Sequence, residues 1–281
     1  MASTGRVRAA FRPVTARFLV VVLSIALSGC TGAHLASKSG AFTVTTEEVP
    51  TDQRVIHATY VQPVQDRHPG YLLVFTTGDA GWWSTSGVIF EHLAEAGYTI
   101  AGFSAPEILE PVKKFEGRVS TARAAKALDE MYAHVRKHFG EPDSAQIIVV
   151  GFSRGASSVA FTAVHPELRN DIAGAVAIAL VREADYLHVP EHERGPDIQV
   201  DDQGRLQIYP ALKLLGSTRL AVIQSTNDKY VPSAESRQLL GPDTATLRLY
   251  QVESRDHGFR GGRDVLFKDL DEAMSWLEHG G

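Results

Sequence analysis

The chain has one cysteine, Cys30, and no Cys/His spacing suited to zinc. An intramolecular disulfide is therefore excluded, and a structural zinc site has no ligand set. The apolar run Phe18–Ala26 is short of the roughly 20 residues a membrane span needs. No internal repeat or second linker is visible, and basic residues are not in excess. The 281 residues carry 28 Lys and Arg against 33 Asp and Glu, a formal charge of −5. That balance argues against nucleic acid as a partner and against broad adhesion to anionic lipid.

What stands at the N-terminus is a targeting pattern. Arg6, Arg8, Arg12 and Arg17 precede the apolar run, and Leu27-Ser28-Gly29-Cys30 follows it like a bacterial lipobox. Residues 1–29 are expected to be a lipoprotein signal peptide, with Cys30 the lipidated first residue of the mature chain and residues 30–41 a small polar tether. Thr31 supplies no inner-membrane retention aspartate, so the expected location is the outer membrane, facing the periplasm. Cleavage would remove four arginines, leaving 24 basic against 33 acidic residues and a charge of −9.

The remaining span, 42–281, is long enough for one large core. Apolar runs at Phe42–Thr46, Val55–Val61, Tyr71–Thr76, Thr99–Phe103, Gln146–Val150, Ile172–Leu180, Leu220–Gln224 and Leu247–Val252 read as strands. Helical patterns fall between them at Gly87–Ala96, Ser120–His138 and from Ser233. The alternation predicts an α/β fold with a mostly parallel central sheet and helices on both faces.

After the run Gln146–Val150 come Gly151-Phe152-Ser153-Arg154-Gly155 and then small residues. A β-branched strand, G-x-S-x-G and a small-residue helix start are the setting of a nucleophile elbow. Two later strand ends carry possible partners for Ser153: Ser225-Thr226-Asn227-Asp228 and Glu253-Ser254-Arg255-Asp256-His257-Gly258. The order Ser153, Asp228, His257 is that of α/β-hydrolases. A serine hydroxyl needs an imidazole to take its proton and a carboxylate to hold that imidazole, so His257 is assigned as base and then acid, and Asp228 as its orienter. Asp256 adjoins His257 but should point away from it; Glu183 and Asp185 are weaker candidates. His165 reads as a helix-end residue, and His188 with His192 as a solvated loop pair.

The backbone N–H of Arg154 is one expected oxyanion donor, and a second should come from Asp79 to Trp82, with Asp79 and Ala80 foremost. Gly78 and Gly81 would let that loop approach the substrate. Asp79 either caps its turn or faces the substrate. Trp82 and Trp83 either cover the core or form an apolar substrate wall. Arg154 either holds a phosphate bidentately or buttresses the elbow through an ion pair. The spans Ser104–Gly117 and Arg182–Pro210 read as loops near the site, the second as a surface insertion or a lid.

Thr77-Gly78-Asp79-Ala80-Gly81-Trp82, the elbow and the Asp228 and His257 loops together resemble the VirJ/AcvB family of α/β-hydrolases over roughly residues 70–280. The resemblance implies a periplasmic or envelope protein associated with bacterial virulence, with Ser153, Asp228 and His257 as nucleophile, acid and base. Some members hydrolyse the aminoacyl ester of lysyl- or alanyl-phosphatidylglycerol. Ala80, where glycine is usual, and Arg154 depart from the pattern, and the long N-terminal region of some members is lacking. The expected function is an envelope-tethered serine hydrolase acting on such an aminoacylated phospholipid, with the membrane as partner through the anchor and no cofactor. Competing readings are a periplasmic esterase or peptidase of another substrate class, a cytoplasmic dienelactone-type hydrolase, and a non-catalytic virulence or assembly lipoprotein.

Overall fold

The computed structural model describes residues 40–50, 55–83, 85–111, 117–141 and 145–280. The signal segment and nearly all of the tether, Cys30 included, lie outside the described residues. In chain order the body runs β1 (Phe42–Pro50), β2 (Val55–Pro63), β3 (Tyr71–Thr76), α1 (Thr85–Glu95), β4 (Thr99–Phe103), α2 (Ala105–Pro111), β5 (Val119–Ser120) and α3 (Thr121–Phe139). It continues through β6 (Gln146–Phe152), α4 (Arg154–Val164), β7 (Ile172–Ile178), β8 (Glu183–Ala184), β9 (Leu187–His188), β10 (Leu206–Gln207) and α5 (Ile208–Ala211). It closes with β11 (Arg219–Ser225), α6 (Ser233–Leu240), β12 (Leu247–Val252) and α7 (Arg263–His279).

Eight strands form one sheet in the order β1-β2-β4-β3-β6-β7-β11-β12. β2 is antiparallel to both β1 and β4, and every later pairing is parallel. This is the α/β-hydrolase topology. Its inner parallel strands are apolar on both faces because helices cover both. In β3, Leu72 and Val74 face one core cluster while Leu73 and Phe75 face the other. Ile147 and Val149 alternate with Ile148 and Val150 in the same way along β6. α3 and α4 pack on the first face; α1 and α7, through Ile89, Phe90, Leu93, Leu266, Leu270 and Leu277, pack on the second.

Local sequence fixes the helix ends. Ser120 Oγ accepts from the Arg123 N–H at the start of α3, and Gly140, at φ 68°, ends it in the left-handed region. β4 lies on one side of β3 and β6 on the other, so the strand order reverses between β3 and β6. A crevice at the carboxyl ends of those strands is where such sheets place their sites.

Two loop expectations need correction. Ser104–Gly117 contains α2. Arg182–Pro210 is a surface insertion only in its middle: residues 190–205 include no buried residue, but on either side Leu206 pairs with Ala184, Leu187 pairs with Val119, and Tyr186, Leu187, Val189 and Leu206 are buried in the core that α4 shares. Its prolines, glycines and charges conceal these scattered apolar anchors, too widely spaced to show a strand period.

Candidate active site

Ser153 occupies the turn between β6 and α4 with φ 55° and ψ −114°, a conformation side chains rarely adopt. The turn can close because its glycines lack side chains. A Cβ at Gly151 would overlap the Gly155 carbonyl, and a Cβ at Gly155 would overlap the Thr76 carbonyl. The Ser153 N–H donates to Ile178 O at 2.8 Å, tying the strained residue to the neighbouring strand.

Ser153 Oγ lies 2.8 Å from His257 Nε2, and His257 Nδ1 lies 2.7 Å from Asp228 Oδ2. Asp228 is only 2% exposed, so its charge must be satisfied within the protein. Oδ1 accepts the Tyr230 N–H at 2.8 Å and the Val231 N–H at 3.4 Å, and Oδ2 accepts the Gln224 amide at 3.1 Å. A carboxylate met only by donors accepts from Nδ1–H as well, which leaves Nε2 free to accept from the Ser153 hydroxyl.

The loop carrying His257 is shaped by Asp256, which lies away from the imidazole. Its Oδ1 accepts the Gly258 N–H at 3.0 Å and the Arg260 N–H at 3.2 Å, and its other oxygen pairs with the Arg260 guanidinium. Burial opposes ionisation of Asp256, but the Arg260 contacts and the Gly258 N–H outweigh it and hold the carboxyl below its usual range. Phe259 then takes φ 58° and is fully buried, pinning the loop to the core. Thr85 Oγ1–H donates to Gly258 O at 2.9 Å from the start of α1.

Across the crevice, residues 78–81 make a tight turn closed by the Gly81 N–H to Gly78 O at 3.0 Å. The Gly78 N–H donates to Ser86 Oγ at 3.2 Å. A Cβ at Gly78 would stand 3.1 Å from Ser153 Cβ, so the turn lies directly against the nucleophile. With the Gly81 and Gly78 N–H groups engaged, Asp79 and Ala80 carry the amides of the turn's tip. Asp79 itself neither caps this turn nor stands alone: its Oδ1 is 2.7 Å from Arg154 Nε. Arg154 Nη2 is 3.2 Å from Asp185 Oδ2. A guanidinium already shared by two carboxylates is the elbow-buttressing alternative and leaves the phosphate-anchor reading without support.

The two tryptophans part company. Trp82 packs against Phe75 and Phe90, with ring centroids 6.2 and 5.0 Å away, and covers the core instead of walling a pocket. Trp83 is 63% exposed. Tyr230, unremarked in the sequence, meets His257 edge-on at 4.9 Å between centroids. Gln224 is the other omission: besides Asp228 it binds Val231 O and accepts the Leu180 N–H, so it locks the acid loop from beneath. The signal was available, since a glutamine ending an apolar strand needs buried partners. His165 caps the far end of α4, and among the described residues no group of three or more His, Cys, Asp or Glu is placed to hold a metal ion.

Fold and side-chain geometry together define an α/β-hydrolase of the serine type. The chain belongs to the VirJ bacterial virulence protein family, whose model matches residues 70–260. No curated protein matches the sequence. Among solved structures, a protein from Klebsiella pneumoniae subsp. pneumoniae MGH 78578 assigned as a dienelactone hydrolase superposes with a TM-score of 0.60 at 15% identity, over 85% of this chain and 99% of that one. The Pyrococcus furiosus esterase Pf2001 gives 0.59 at 14% identity, over 86% and 96%. An alpha-beta serine hydrolase homologue from Coxiella burnetii gives 0.56 at 14%, over 81% and 96%. At these identities the similarity is one of fold.

Proposed function

We propose that this chain is a serine ester hydrolase whose substrate is the aminoacyl ester of lysyl- or alanyl-phosphatidylglycerol. The observation that carries the hydrolase reading is the Ser153–His257–Asp228 relay on a strained elbow. Ser153 Oγ attacks the ester carbonyl as His257 Nε2 takes its proton. The tetrahedral oxyanion is received by the Arg154 N–H, at the positive end of α4, and by an amide of Asp79 or Ala80. Collapse breaks the ester C–O bond, and His257 returns the proton to the departing glycerol oxygen. Water, deprotonated by His257, then releases the amino acid from Ser153. The serine, its base and the acid complete the cycle without a cofactor.

The aminoacyl-lipid substrate rests on the family resemblance and on the acidic body, which suits a cationic acyl group. The lipobox at Cys30 would place the enzyme beside that substrate, tethered to the outer membrane and facing the periplasm. A radiolabelled palmitate that Cys30→Ala no longer takes up would test the tether. For the activity, vesicles containing lysyl- or alanyl-phosphatidylglycerol should release free amino acid with the wild-type domain and none with Ser153→Ala. Cleavage of a short nitrophenyl ester without amino-acid release would favour an esterase of another class. Silence on both substrates, with Ser153 inert to a fluorophosphonate, would leave a binding lipoprotein.

A further inference from the structure

Arg154 follows the nucleophile, and its side chain ties together two segments that flank the elbow. Nε meets Asp79 on the 78–81 turn, and Nη2 meets Asp185 between β8 and β9. Asp185 is steadied in turn by Arg118, whose Nε donates to its backbone carbonyl at 3.2 Å. The Arg154 side chain is 16% exposed and that of Asp79 60%, so the Asp79 pair stands at the lip of the crevice. A pair so exposed is worth only about 0–1 kcal/mol to folding. Its placement matters more. The turn it grips begins and ends in glycine, which offers no side chain to anchor it, and presses against Ser153.

We infer that Arg154 is a positioning residue for the oxyanion pocket. Its own N–H is one donor, and its guanidinium, braced by Asp185, fixes through Asp79 the turn that bears the other. The inference rests on the serine-hydrolase reading. One oxyanion donor is worth roughly 10²–10³ in kcat, and displacement of such a group by about 0.5 Å degrades it. The planar guanidinium reaches two carboxylates at once, which a lysine ammonium on a flexible stem does not reproduce.

The test uses Arg154→Ala, Arg154→Lys, Asp79→Asn and the double variant Arg154→Ala/Asp79→Asn. Each is assayed on a short nitrophenyl ester, with the affinity of a boronic acid that forms a tetrahedral adduct on Ser153. Arg154→Ala keeps the backbone N–H, so it isolates the side chain. Expected are kcat losses of about 10- to 100-fold with KM nearly unchanged, a parallel fall in boronate affinity, and a double variant no worse than the worse single one. Arg154→Lys should recover only part, and melting temperatures should barely move. Unchanged kcat and boronate affinity, losses that multiply, or losses that follow melting temperature would overturn the role. A wild-type Ser153 inert to both fluorophosphonate and ester would overturn the hydrolase reading itself; a reactive Ser153 whose rates ignore Arg154→Ala overturns this role alone.

Discussion

The two sides of Ser153 are built on opposite electrostatic terms. On one side Asp228 is sealed from water and receives the His257 Nδ1–H, two backbone N–H groups and an amide. On the other, Arg154 shares its charge between Asp79 and Asp185 at a partly solvated lip. A buried charge without partners is costly, so every group on the first side is committed and any single change leaves something unsatisfied. On the second side water can replace a lost partner. The relay side should therefore be brittle and the lip side tolerant.

The sharpest comparison makes the same carboxylate-to-amide change on each side. Asp228→Asn puts an NH₂ group among donors and removes the acceptor that fixes the histidine tautomer. A fall of about 10⁴ in kcat is expected, equivalent to roughly 5.5 kcal/mol at the transition state. Asp79→Asn should cost at least a hundredfold less. Ester hydrolysis by both variants decides it, and losses of equal size would erase the distinction between the two sides.

Backbone replacements extend the comparison from chemistry to folding. At Gly155 an added methyl would overlap the Thr76 and Thr77 carbonyls, which are main chain and have little room to yield. Gly155→Ala is expected to lower stability by about 4 kcal/mol or prevent folding, read from urea unfolding. Ala80→Gly, at the tip of the lip-side turn, should change stability by no more than about 1 kcal/mol. A stable Gly155→Ala protein would show that the elbow relaxes where its geometry appears closed.

These contrasts also explain what the sequence could and could not reveal. β3, β4 and β12 coincide with their apolar runs: β3 and β4 are buried on both faces, while the edge strand β12 alternates buried Leu247 and Leu249 with partly exposed Arg248 and Tyr250, and both patterns show in a sequence without a partner strand. Ser153, Asp228 and His257 were legible because each follows such a strand end, and the sheet brings those ends to one edge. The lip was not legible. Whether Arg154 would meet phosphate or carboxylate depended on where residue 185 lay, and that depended on the two-residue pairings of β8, β9 and β10. Trp82 and Trp83 are adjacent in sequence and alike in chemistry, yet only Gly102, too small to fill its site, tells which indole turns inward. Asp256 was correctly set aside as orienter, but its bonds to residues two and four positions on belong to a turn no periodicity announces.

Asp256 gives a smaller effect on the relay side. Asp256→Ala frees the Gly258 and Arg260 N–H groups that bend the His257 loop, at a cost of about 1–2 kcal/mol in stability. Because His257 is carried by that turn, kcat should also fall several-fold while fluorophosphonate labelling of Ser153 persists at a reduced rate. A change in stability without any change in labelling would mean that Phe259 and Thr85 suffice to hold the loop.

The smallest expected effect lies at the far end of the elbow helix. Burial lowers the pKa of His165 despite the opposing charges of Glu167 and Glu193, and its Nδ1 has no hydrogen-bond partner among the described residues. Protonation would place a second N–H where no acceptor waits, so the folded state favours the neutral ring. A depressed folded pKa means that this contribution is fully present above the unfolded value near 6.5 and is lost as pH falls below it toward the folded value. The whole curve sums over every titrating group, so it does not isolate this one. The informative quantity is the difference in urea midpoint between wild type and His165→Gln, measured at pH 7.5 and 5.5. The variant should lose less stability on acidification than the wild type. Equal losses would mean that the ring finds a proton acceptor when charged, and that this end of α4 is as forgiving as the lip.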